Sequence, residues 1–68
     1  MYLVIEIQKT SGSIAHIVTT HSNRNEAEQK YHAVLSAAAV STVEVHSAVL
    51  MFYDGTVFKR ESYDHTEG

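Results

Sequence analysis

At 68 residues the chain is long enough for one domain, close to the size at which a single core barely outweighs chain entropy, so burial shared with a partner is an expected source of stability. It has no cysteine, which excludes disulfides and thiolate metal sites. A net charge of −3 is small and of the wrong sign for general nucleic-acid binding.

Residues 1–9, MYLVIEIQK, alternate: Leu3, Ile5 and Ile7 fall on one face and Tyr2, Val4, Glu6 and Gln8 on the other, the pattern of a half-buried strand. A second β-branched stretch at 14–21, IAHIVTTH, follows TSGS, where Gly12 supplies the residue tolerant of positive φ that a hairpin loop needs. From residue 24 to 40 the period changes to about 3.6. Ala27, Tyr31, Val34, Leu35 and Ala38 then make one apolar stripe of an amphipathic helix. Asn23 and Glu26 have capping-box spacing, with Ser22 and Asn25 as other caps. Ala33, Ser36 and Ala37 form a second, small-residue patch. No glycine ends this helix, so pairing of the following strand must end it.

Residues 42–53 are expected to form the third strand, with Val43, Val45, Val49 and Met51 facing the helix and Ala48, Leu50 and Phe52 facing away. Asp-Gly in YDGT favours a tight type I′ hairpin. The fourth strand, 56–64, carries a charged centre, and 65–68 is expected to be a frayed tail. The order is therefore ββαββ in one domain, an α+β fold with a four-stranded sheet and one helix packed on one face. A right-handed crossover would allow the β-grasp-like order 2-1-4-3.

A strand apolar on both sides leaves a patch that a single helix does not cover. Tyr2, Val4, Ala48, Leu50 and Phe52 are the expected interface, and a homo-oligomer or protein partner the expected occupant. The longest apolar run, residues 48–53, is far too short to span a bilayer, and the N-terminus lacks a signal peptide's basic flank. A cytoplasmic protein of a bacterial host, without a membrane partner, is expected.

Five histidines are many for this length, but none pair at i,i+4, and no HExxH or clustered carboxylate accompanies them. His16 and His46 are the pair that strands would bring together across the sheet. His46 and Ser47 are adjacent on a strand, so they point to opposite faces and cannot act as base and nucleophile together. No residue is assigned a catalytic, cofactor or metal role, and the protein is read as a non-enzyme needing no cofactor. Lys59 and Arg60 would cradle a small anionic ligand only if folding or symmetry gathers other cations around them.

The segments EAEQKYHAVLSAAAVS, VHSAVL and YDHTEG resemble a group of short proteins from gut-type Firmicutes and their prophages or mobile elements. The likeness covers most of the chain from YLVIEIQ onward and brings no established activity with it. It implies a phage-linked setting and marks Tyr31, His32, His46 and Ser47, beside Lys59 and Arg60, as candidate contacts for a ligand or host partner. The leading expectation is an oligomeric binding protein that sequesters or blocks a host-defence component. The alternative is a phage structural or assembly component, and a small histidine-dependent enzyme ranks last.

Overall fold

Two alternating segments, a 3.6-period segment and two more extended segments become five elements. The computed structural model describes residues 1–65 and contains β1 (Tyr2–Thr10), β2 (Ser13–His21), α1 (Arg24–Ala39), β3 (Val45–Phe52) and β4 (Val57–Asp64). The first hairpin turns through Ser11 and Gly12, both at positive φ (43° and 84°), as a two-residue type I′ loop requires. The second does not form the expected tight Asp-Gly turn. Phe52 and Thr56 pair across a three-residue loop, Gly55 alone adopts positive φ, and the Asp54 carboxylate accepts the Thr56 N–H at 2.9 Å.

Asn23 caps α1, its Oδ1 accepting the Glu26 N–H at 2.9 Å. At the other end the N–H groups of Val40 and Ser41 reach the carbonyls of Ala37 and Ala38, a tightened last turn that replaces a glycine cap. β3 begins at Val45 rather than residue 42, because 41–44 carry the chain from helix to sheet and Ser41 Oγ accepts the Val43 N–H. His65, expected to fray, is tied down: its N–H donates to the Glu44 carbonyl at 2.7 Å and its Nε2 lies 3.0 Å from the Ala38 carbonyl. The rest of the expected tail, 66–68, lies outside the described residues.

All strand pairs are antiparallel, in the order β2-β1-β3-β4. The order 2-1-4-3 is thereby corrected. Both orders run the strands in the same directions and differ in which strand of the second hairpin lies beside β1. The apolar β3 takes the centre, while β4, with Lys59, Arg60 and Glu61, takes the edge, where charge deters further pairing.

The helix covers the even-numbered face of β1 and β3. Val4, Ala48 and Leu50 are buried there against Ala27, Tyr31, Val34 and Leu35, with Tyr2 and Tyr63 packed alongside. The five residues of the predicted helix stripe are the five that α1 buries. The expected faces of the sheet are therefore reversed. Ala27, Ala38 and Ala48 are each 0% exposed, so small side chains on both layers let the helix lie close to the even face. Val45, Val49 and Met51 point the other way with Leu3, Ile5 and Ile7, to which they are joined by register.

Candidate functional site

Two places combine chemically distinctive side chains. The first is inside. His46, on the helix-facing side of β3, is 4% exposed, and its Nε2 lies 2.6 Å from Glu6 Oε2 on β1. Gln8 Nε2 donates to the same oxygen at 3.1 Å. The pair is joined through Nε2, and Nδ1 is buried without a hydrogen-bond partner among the described residues. A histidine oriented by a carboxylate is the core of many acid–base sites. Here the ring is enclosed, and Ser47, the adjacent hydroxyl, points to the opposite face. Register accounts for the pair: Gln8 lies opposite His46 and Glu6 opposite Ala48, so Glu6 is one pleat along the same face.

The second place is the uncovered side of the sheet, called here the open face. Leu3, Ile5 and Ile7 on β1 and Val45, Val49 and Met51 on β3 line its middle and are only half-buried. Ile14 and Val18 on β2 and Val57 on β4 extend it and are exposed. Toward β4 the apolar surface gives way to Ser47, opposite Ser62, and to Arg60, opposite Val49. These three, with Ile7, Ala48, Val49 and Glu61, line a shallow depression of about 460 Å³.

Charge is distributed unevenly. Glu28 on α1 gathers two cations and a histidine on the helix side: Lys59 Nζ lies at 2.8 Å, Arg24 Nε at 3.3 Å and His32 Nε2 at 3.6 Å. The Lys59 hydrogen bond holds the Glu28 carboxyl below its ordinary pKa. Lys9 pairs with Glu44 at 3.2 Å. Glu44 is also held low, first by the Ser11 N–H it accepts and then by Lys9. Arg60 has no ion pair or hydrogen bond with any described residue.

The residues singled out by sequence are thus dispersed. Val4, Ala48 and Leu50, expected at an interface, are core. Tyr2 and Phe52 join Phe58 in an aromatic cluster at the helix N-terminal end, with ring centroids 5.2 to 6.2 Å apart and Arg24 over Phe58 at 4.6 Å. Tyr31 is buried, and burial raises its phenol pKa. His32 is exposed on the helix, His46 is enclosed, and Lys59 serves Glu28. His16 lies opposite Ile7, on the other face from His46, so those two histidines do not meet. Ser47 and Arg60 are brought together. Ser62 completes their group and was missed, because only the register across the β4 bulge near Phe58 reveals it.

No group of three or more potential metal ligands occurs among the described residues, and no helix among them is long and apolar enough to cross a membrane. The fold and these two places define a ββαββ α+β protein with one helix-covered and one uncovered sheet face. No protein-family model, curated protein or solved structure matches the chain.

Proposed function

We propose that the protein is a non-enzymatic, self-associating binding protein whose assembly surface is the open face. The observation that carries this reading is the continuous apolar surface of Leu3, Ile5, Ile7, Val49 and Met51, extended by Ile14, Val18 and Val57, on the side of the sheet without a helix. The occupant proposed is a second copy of the chain. The molecule measures 36 × 20 × 15 Å, which gives its broad side a footprint of roughly 700 Å², near the ~800 Å² per partner of a stable interface. Two such faces related by a twofold axis stack as two sheets do in a sandwich, about 10 Å apart, and each supplies the second layer that the other lacks.

The likeness of the KYH, AAAVS and HSAVL segments to proteins of phages and mobile elements supplies the setting proposed for this assembly. In that setting it sequesters or blocks a host-defence component in the bacterial cytoplasm. Light scattering on the size-fractionated protein tests the assembly. The parent should give a mass above that of one chain at micromolar concentration. Leu3→Asp should give the mass of one chain with its circular dichroism intact, because an unpaired charge is not tolerated in a desolvated interface. A parent that is monomeric throughout would overturn the reading.

A further inference from the structure

We infer that the depression between β3 and β4 on the open face is a binding site for the phosphate group of a small organophosphate, with the organic part lying on Ile7 and Val49. The donors come first. Arg60 projects onto the open face opposite Val49, and the hydroxyls of Ser47 and Ser62 sit opposite one another on the same face. Neither hydroxyl and no nitrogen of the guanidinium is engaged by a described residue. Every other arginine or lysine on the strands, and Arg24 on the helix, has a carboxylate partner. Arg60 is the strand cation left over, and it stands at the border of an apolar surface rather than among acids.

The field around it agrees. Of the described carboxylates, Glu6 and Glu61 belong to the helix-facing side, Glu26 and Glu28 to α1, Glu44 to the connection after it and Asp54 to the second turn. Asp64 alone has an open-face register position, opposite Val45 at the end of the sheet. It lies four residues from Arg60 along β4, about 13 Å at strand rise. Glu61, next to Arg60 in the chain and among the residues lining the depression, has its register position on the helix-facing side, so no carboxylate shares the open-face positions of Ser47, Arg60 and Ser62.

The donor count selects the anion. A guanidinium presents a two-pronged fork, and two hydroxyls add two more donors, which suits the three terminal oxygens of a phosphate monoester better than the two of a carboxylate. Ile7 and Val49 form the floor beside these donors, an apolar platform on which a planar or hydrocarbon body replaces water. This inference deepens the binding reading above. It rests on that reading for one element only, the second sheet that roofs the depression when two open faces stack.

Phenyl phosphate is the probe, titrated into ¹⁵N-labelled protein, with inorganic phosphate and benzoate as comparators. Saturable shifts are expected at the amides of Ser47, Val49, Arg60 and Ser62, with phenyl phosphate binding more tightly than either comparator. Arg60→Ala should weaken binding by about tenfold or more, Arg60→Lys should lose part of that, and Ser47→Ala with Ser62→Ala should also weaken it. All four substitutions, at three positions, lie outside the helix-packed core. Shifts of equal size around Lys30 and Lys59, or equal affinity in Arg60→Ala, would show general attraction to cations and overturn the site. Benzoate binding as tightly as phenyl phosphate would overturn the phosphate assignment. Sedimentation of the same samples separates the two readings: an associated protein that ignores the probe sinks the site alone, and a monomer that binds it sinks the assembly alone.

Discussion

His46 and Glu6 show how one pair of side chains settles an otherwise ambiguous strand. A buried histidine near the start of the apolar β3 is a cost unless its ring is bonded, and Glu6, itself largely covered, meets that need at 2.6 Å. Removing one member strands the other. Glu6→Leu leaves both ring nitrogens of His46 buried and unbonded, which should destabilise the fold by about 1–3 kcal/mol in urea unfolding. Glu6→Leu combined with His46→Leu should cost less than the sum of the two single changes, because the apolar pair strands nothing. Full additivity would mean that the two side chains do not interact.

Two exposed carboxylates make stability depend on pH on the acid side. Glu44 is held below its ordinary pKa by the Ser11 N–H and Lys9, and Asp54 by the backbone N–H and hydroxyl of Thr56. A depressed folded-state pKa means that the contribution is present above the unfolded carboxylate value, about 4, and is lost as pH falls through the folded value. Thermal melts between pH 7 and pH 3 should therefore show the parent losing stability on the acid side. Glu44→Gln should lose less over the same interval while starting lower at pH 7.

Among the elements, β3 carries the sharpest contrast. Leu50 is 0% exposed beneath α1, and its neighbour Val49 faces outward. Leu50→Asp should abolish the cooperative thermal transition, since it puts a carboxylate into the packed core where the leucine is wholly enclosed. Val49→Asp should keep that transition and lose self-association. The reverse outcome would mean that the helix covers the other face. At the helix start, Asn23→Ala should cost about 1 kcal/mol through the lost cap to the Glu26 N–H.

Much at this scale could be read from the sequence. The five-residue stripe of α1, the Asn23 cap among three choices, and the two-fold alternation of β1 follow from local chemistry, as does Gly12 in its turn. The face of the sheet could not be read, because both parities of β3 are apolar and parity says only which residues travel together. The signal that decides it is relational: Ala48 shares the buried cluster with Ala27, and His46 needs Glu6. Both become visible only with register. The site was half legible for the same reason. Arg60 and Ser47 stand out as residue types, but Ser62 reaches them through a pairing that the β4 bulge shifts by one position.

At the scale of the molecule, one helix is too little to cover a four-stranded sheet. The strongly exposed side chains of Ile14, Ile17 and Val18 show that β2 is sheltered on neither face, while the middle of the open face is shielded only by its own neighbours. A chain this small gains stability when a second layer removes that surface from water. Association and stability should therefore be linked: the melting temperature of the parent should rise with protein concentration, and that of Val49→Asp should not.

The most direct test is sedimentation equilibrium of the parent over a hundredfold range of concentration around the micromolar. The open-face account predicts a reversible rise in average mass from one chain to at least two, absent in Val49→Asp. A parent that stays at the mass of one chain across the whole range, while folded and soluble, would contradict it.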